Sequence, residues 1–266
     1  MEHKIIINDL ETPDYARRES LNSLRTNLQF CGANTKVIMF TSCTPNEGKS
    51  TITMELARSM TEDNKRVILV DADLRKSVLV GRHKMTTEEK KIYGLTHFLS
   101  GQKKLEEVIY ETSIENMDMI VSGPIAPNPT GLLGSQLFSD MITELKERYD
   151  IVLIDCPPLG WVIDAAVVAP VCDGAVLVVE SNCISYHYLQ DVKKQLEVTG
   201  VKILGVVLNK VMIGGGRYYN HYGKYGRYGG KYGKYGKYGK YGSKYGYYGK
   251  YDKYEQYGEE PKAAEK

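Results

Sequence analysis

Six short apolar runs rich in β-branched residues constrain this chain more than any other feature. They are VIMFTS (37–42), VILVD (67–71), MDMIVS (117–122), IVLID (151–155), AVLVVE (175–180) and ILGVVLN (203–209). Their near-continuous apolar character reads as strands buried on both faces, the pattern of a parallel sheet covered by helices. Between them, residues 50–61, 135–148 and 188–199 carry the spacing of amphipathic helices, and 15–30 predicts a further helix outside the alternation. Strand alternating with helix predicts an α/β class: a doubly wound, mainly parallel sheet flanked by helices, with sites at the carboxyl ends of its strands.

The pattern stops at Gly214-Gly215-Gly216, after which there is no Ile, Leu, Val or Phe. A segment of that composition cannot bury enough apolar surface to offset the entropy of ordering its backbone. The reading is a folded domain over 1–213 and a disordered tail over 214–266. Twelve Lys and Arg against five Asp and Glu make the tail about +7 and leave the folded part near −5. No signal peptide opens the chain, and no apolar run reaches the roughly 18 residues of a membrane span. Five cysteines without a C-x-x-C pair argue against a disulfide framework or a zinc site, and for a reducing cytosol.

The first strand runs into TSCTPNEGKSTI, which sets Gly48-Lys49-Ser50 at a strand-to-helix turn. Backbone N–H groups and the helix dipole favour anionic oxygens there. Lys49 adds a point charge, and the Ser50 hydroxyl suits Mg²⁺. The first glycine of G-x-x-x-x-G-K-[ST] is absent, its place taken by Cys43. The second strand ends in VILVDADLRKS, with Asp71 and Asp73 two residues apart. Such a pair can hold Mg²⁺ or accept a proton, or it can be a solvated turn capping a helix. The strand IVLIDCPP ends on Asp155, a metal ligand or an ordinary strand-end carboxylate. The three in this order point to ATP or GTP with Mg²⁺. Cys43 and Cys156 are either redox-sensitive thiols near the nucleotide or small reduced residues in tight turns.

Taken together, SCTPNEGKS, VILVDADLRKS and IVLIDCPP, with SGPIAPNPTGLLGS (122–135), resemble the motifs of bacterial tyrosine kinases of capsular and exopolysaccharide export. These have a P-loop fold related to the MinD and ParA ATPases. The resemblance spans roughly residues 10–213 and implies ATP and Mg²⁺ as cofactors. It implies a nucleotide loop of Thr44, Pro45, Asn46, Glu47, Gly48, Lys49, Ser50 and Thr51. By the same resemblance Lys49 binds phosphate and Ser50 ligates the metal. Asp71 takes the tyrosine proton with Asp73 beside it at the metal, Asp155 is the Walker B carboxylate, and Arg75 stabilises phosphate charge. The family's E-x-x-R-x-x-R motif of ring-like self-association is incomplete here: Glu19 and Arg25 keep the spacing and Asn22 replaces the middle arginine. The resemblance further implies a separate membrane adaptor of the polysaccharide co-polymerase type and a cognate tyrosine phosphatase. It implies a cytoplasmic protein, peripheral at the inner face of the membrane.

A tyrosine-rich tail is itself a trait of that family. Here Tyr222, Tyr225, Tyr228, Tyr232, Tyr235, Tyr238, Tyr241, Tyr245, Tyr248, Tyr251, Tyr254 and Tyr257 recur with period three, shifted twice by one extra residue. Period three matches neither a helix face nor a strand face. What the repeat preserves is each tyrosine's immediate surroundings, so a kinase pocket meets nearly the same substrate at every register. Two other readings stand beside the kinase. One is a MinD- or ParA-like positioning ATPase, although the extra lysine of K-G-G-x-G-K is here Thr44. The other takes the basic, aromatic tail as a binding module for nucleic acid or anionic lipid. No specific nucleic acid is expected.

Overall fold

The computed structural model describes residues 3–9, 12–89 and 91–211. The 214–266 segment, and every candidate phosphoacceptor tyrosine with it, lies outside the described residues. The strands are β1 (Lys4–Ile5), β2 (Val37–Ser42), β3 (Val67–Asp71), β4 (Tyr110–Thr112), β5 (Met117–Ile120), β6 (Ile151–Asp155), β7 (Gly174–Glu180) and β8 (Ile203–Asn209). They form one sheet in the order β1-β4-β5-β3-β6-β2-β7-β8. Every neighbouring pair is parallel except β4 with β5. The predicted doubly wound, mainly parallel sheet is therefore present.

Alternation along the central strands builds two cores, one on each face. Val37 and Met39 of β2, Ile68 and Val70 of β3, and Val152 and Ile154 of β6 face one of them. Ile38 and Phe40, Val67 and Leu69, and Leu153 face the other. The first face is covered by α6 (Gln136–Arg148), through Phe138, Met141, Ile142 and Leu145, and by Val192 and Leu196 of α8 (Tyr186–Glu197). The second is covered by α2 (Lys49–Thr61) and by Leu28 of α1 (Tyr15–Gln29). Deleting a wholly buried ring such as Phe40 costs about 3–5 kcal/mol in a core of this kind.

Three expectations need correction. The run 203–209 is not buried on both faces: β8 is the last strand of the sheet, and Val206 and Leu208 are 49% and 57% exposed. Regular pairing in the run 117–122 ends at Ile120, because Val121 and Ser122 give their carbonyls to the start of α4 (Leu95–Leu99). The last long helix starts two residues before its predicted beginning, at Tyr186, where Ser185 Oγ accepts from Tyr188 N at 3.2 Å. Four short helices were not anticipated: α3 (Leu79–Arg82), α4, α5 (Pro129–Leu133) and α7 (Asp164–Val168).

Candidate nucleotide site

The loop between β2 and α2 is shaped by its own side chains. Glu47 is buried, and its Oε2 accepts from the Thr44 amide at 2.7 Å, so the carboxylate folds back under the loop. Asn46 adopts a left-handed φ of 67° next to half-buried Pro45, and its carbonyl accepts from Lys210 Nζ at 2.7 Å. Gly48 caps α2 at φ +92°, and a Cβ there would lie 2.1 Å from Asn209 Nδ2. That amide donates to the Glu47 carbonyl at 2.8 Å. The first amides of α2 thus open onto the loop with no side-chain cap, the arrangement that receives anionic oxygens.

Lys49, Ser50, Asp73 and Asp155 meet at the start of that helix. Lys49 Nζ lies 3.2 Å from Asp155 Oδ1, 3.7 Å from Asp73 Oδ2 and 3.2 Å from Ser50 Oγ. Asp71 joins them through the sheet, because β3 and β6 pair in a register that sets Asp71 beside Asp155. Burial pulls the Lys49 ammonium down, yet Asp155, Asp73 and Asp71 together hold it above its usual value. Burial, then the charge of Asp155, pushes the Asp71 carboxyl up to about 7. Burial likewise raises Asp155, against the opposing pull of Lys49 and Ser50. The cluster is three carboxylates and one ammonium in a dry site, short of positive charge.

Of the remaining predicted residues, Thr51 accepts from Arg82 Nη1 at 2.7 Å on the first turn of α2. Arg75 is committed elsewhere. Its guanidinium grips the wholly buried Asp164, and its Nη2 reaches Thr130 Oγ1 at 3.3 Å. Burial pushes the Cys43 thiol up to about 12 and raises Cys156 as well, which keeps both protonated and poor nucleophiles. On α1, Asn22 Nδ2 donates to Glu19 Oε1 at 3.2 Å, while Arg25 ties the helix to the end of α2 through Ser59, Glu62 and Asp63.

Besides Asn209 and Lys210, which brace the phosphate loop, sequence reasoning missed four participants. Asp164 and Thr130 complete the Arg75 cluster, and Ser77 Oγ donates to Asp71 Oδ2. Gly160 lets the loop after β6 touch the phosphate loop, since a Cβ there would lie 2.2 Å from the Cys43 carbonyl. Its place just after Pro157-Pro158-Leu159 was the available signal.

Among the described residues no cluster of three or more His, Cys, Asp or Glu side chains could cage a metal ion. Mg²⁺ asks for less: one or two carboxylates, a hydroxyl and phosphate oxygens. Ser50, Asp155 and Asp73 fit that demand. No helix among the described residues is long and apolar enough to cross a membrane.

A sheet of this order, with a glycine-hinged loop feeding a helix and carboxylates on the neighbouring strand ends, defines a P-loop nucleotide-binding protein. The family described as AAA domain matches residues 35–202. The tyrosine-protein kinase CpsD of Streptococcus agalactiae is 42% identical over 193 residues, covering 73% of this chain and 83% of that protein. The kinase domain of Escherichia coli tyrosine kinase ETK superposes with a TM-score of 0.70 at 29% identity, covering 76% of this chain and 79% of that one. The chain belongs to the bacterial tyrosine-protein kinase family. The septum site-determining protein MinD of Pyrococcus horikoshii, solved with Mg-ADP, is more distant, with a TM-score of 0.56 at 28% identity over 66% of this chain and 71% of that one. Similarity therefore favours the kinases over the positioning ATPases.

Proposed function

We propose that this chain is an ATP-dependent protein tyrosine kinase that phosphorylates tyrosines of its own 214–266 segment and regulates capsular or exopolysaccharide synthesis and export. One observation carries the reading: Lys49, Ser50, Asp71, Asp73 and Asp155 converge beside the open amides of α2. That convergence occurs in a chain whose other end repeats Tyr-Gly-Lys.

When bound, Mg·ATP supplies the phosphoryl group and the positive charge that the carboxylates lack. The chain's own residues do the positioning. Lys49, now held by Asp155 and Asp73, would meet phosphate oxygens, and the α2 amides would receive the remaining negative charge. Ser50, Asp73 and Asp155 would hold the metal. Burial and Asp155 raise Asp71 to about 7 in the metal-free site; a metal cation beside it would favour the ionised form, the one suited to take the proton of a phenol of pKa ~10. Arg75 acts through Asp164, by fixing the turn that follows Asp73.

Because they stand on the same chain as the site, the 214–266 tyrosines meet it at an effective concentration on the order of millimolar. A weak substrate site then suffices. On this reading a separate membrane adaptor of the polysaccharide co-polymerase type holds and activates the kinase at the inner membrane face. Self-association brings tails to neighbouring sites, and a tyrosine phosphatase resets them.

The test is anti-phosphotyrosine blotting of the purified full chain with Mg·ATP, with and without a candidate adaptor's cytoplasmic segment. Signal lost in Lys49→Met and in a chain ending at residue 213 supports the proposal. Release of inorganic phosphate with no phosphotyrosine would transfer the chain to the positioning ATPases.

A further inference from the structure

Three large apolar side chains stand in solvent around the carboxylate cluster: Ile125, Trp161 and Ile163, at 78%, 51% and 62% exposure. All three lie in the segments that follow β5 and β6, at the carboxyl ends of those strands. Each is anchored through its backbone neighbours. The Ala126 amide donates to the Leu74 carbonyl at 3.1 Å, which sets Ile125 beside the turn after β3. Ile163 precedes Asp164, whose carboxylate is gripped by Arg75 of that same turn. Leu74 and Arg75 directly follow Asp73. Trp161 follows Gly160, which lies against the Cys43 carbonyl at the start of the phosphate loop. The Trp161 amide donates to the Pro158 carbonyl at 3.0 Å, and the Gly160 carbonyl accepts from the Tyr188 hydroxyl at 3.0 Å.

The segment after β6 divides its apolar residues sharply, since Leu159 and Ala165 are buried while Trp161 and Ile163 face water. Among the described residues no ring or cation lies against the Trp161 indole. One exposed apolar residue is ordinary. Three of them, anchored around one reactive cluster, offer a surface suited to an aromatic ring. The chain carries rings at a fixed interval: its tyrosines recur every three residues through 231–242. Phosphoryl transfer needs a single phenol at Asp71, so transfer alone does not call for that interval. Three residues of extended chain span about 10 Å, which brings a neighbouring ring to the rim of a site that holds the first.

We propose that Trp161, flanked by Ile163 and Ile125, is an aromatic subsite that receives a second tyrosine of the repeat while the first meets Asp71. The inference rests on the kinase reading above and adds a function for the spacing. The subsite takes the ring and makes no use of the hydroxyl, so phenylalanine serves it equally.

The experiment uses the full chain with Mg·ATP and two synthetic peptides of equal charge in one reaction. Each has a single central tyrosine in the Gly and Lys surroundings of 231–242. One peptide carries Phe at the flanking tyrosine positions and the other carries Ala. Mass spectrometry of the mixture gives the ratio of their kcat/KM values, in which competition from the chain's own tail cancels. The ring peptide should be preferred about three- to tenfold. Trp161→Ala should bring the ratio close to unity, and Trp161→Phe should keep most of the preference. Phe30→Ala, at an exposed ring after α1, should leave it unchanged. Equal use of both peptides by the parent, or a preference untouched by Trp161→Ala, overturns the subsite and leaves the kinase reading in place.

Trp161 is the only tryptophan of the chain, so its fluorescence gives a second readout free of catalysis. With Mg²⁺ and a non-hydrolysable ATP analogue present, the ring peptide should change it saturably, and the alanine peptide should bind at least about threefold more weakly. That result without phosphorylation of either peptide supports the subsite and counts against the kinase reading alone. No fluorescence change, or equal affinity for the two peptides, overturns the subsite.

Discussion

Arg75 closes a two-point fork on Asp164, with Nε at 2.5 Å from Oδ2 and Nη2 at 2.9 Å from Oδ1. Thr130 Oγ1 donates to the same carboxylate at 2.6 Å. The fork joins the turn after β3 to α5 and α7, three elements at the active end of the sheet. Arg75→Ala strands a wholly buried carboxylate. Because Arg75 is 40% exposed and water can enter behind it, the expected loss is near the low end for a broken buried pair, about 3 kcal/mol. Urea denaturation measures it, and a loss below about 0.5 kcal/mol, the usual scatter of surface changes, would deny the fork its structural role.

Gly48→Ala sets a side chain at φ +92° and pushes it onto Asn209. The strain costs on the order of 1–3 kcal/mol. Nucleotide affinity should fall further than stability does, because the displaced Asn209 also supports the loop through the Glu47 carbonyl. Fluorescent-nucleotide titration of the folded variant decides the point, and parent-like affinity would refute the account of the loop.

Asp71 predicts a pH dependence. Its folded-state carboxyl is raised to about 7 from an ordinary 3.8, so the folded form binds its proton more tightly than the unfolded form. The associated stability is fully present below the unfolded value and is lost as pH rises through about 7. In metal-free, nucleotide-free protein, the loss between about pH 6 and 8 should be on the order of 1 kcal/mol. Asp71→Asn should flatten that part of the profile. Equal slopes in parent and variant would show that Asp71 does not titrate there.

The tail repeat predicts redundancy. Any single Tyr→Phe change between Tyr222 and Tyr257 should leave total phosphorylation nearly unchanged, because neighbouring registers present the same local surroundings. Removing 214–266 should eliminate most of the signal and spare nucleotide binding. Mass spectrometry finding one dominant site would contradict this.

The sheet was legible because β2, β3 and β6 are buried on both faces and so read as continuous apolar runs. The same logic failed for 203–209. An edge strand can be equally apolar in sequence, and only the strand order reveals that Val206 and Leu208 lack cover. The strands β1 and β4, two and three residues long, are too short to show a period. Lys49, Ser50, Asp71, Asp73 and Asp155 were found because each stands beside an apolar strand or helix that fixes its place. Asp164 was not, since its meaning comes from a guanidinium 89 positions away in sequence. Arg75 was noticed by its spacing from Asp73, a local signal that could not disclose where its side chain turns.

The anchoring of Asn209 and Lys210 to the phosphate loop has a mechanical consequence. Among the described residues β8 is hydrogen-bonded to a neighbouring strand on one side only, through β7, and its far end is clasped to the Asn46 and Glu47 carbonyls. The outermost strand and the nucleotide loop are thus rungs of one ladder, and fraying at either end loosens the other. A ligand that stills the loop should slow amide hydrogen exchange along β8 without touching it. The rim of the sheet would then report, residue by residue, whether the nucleotide is in place.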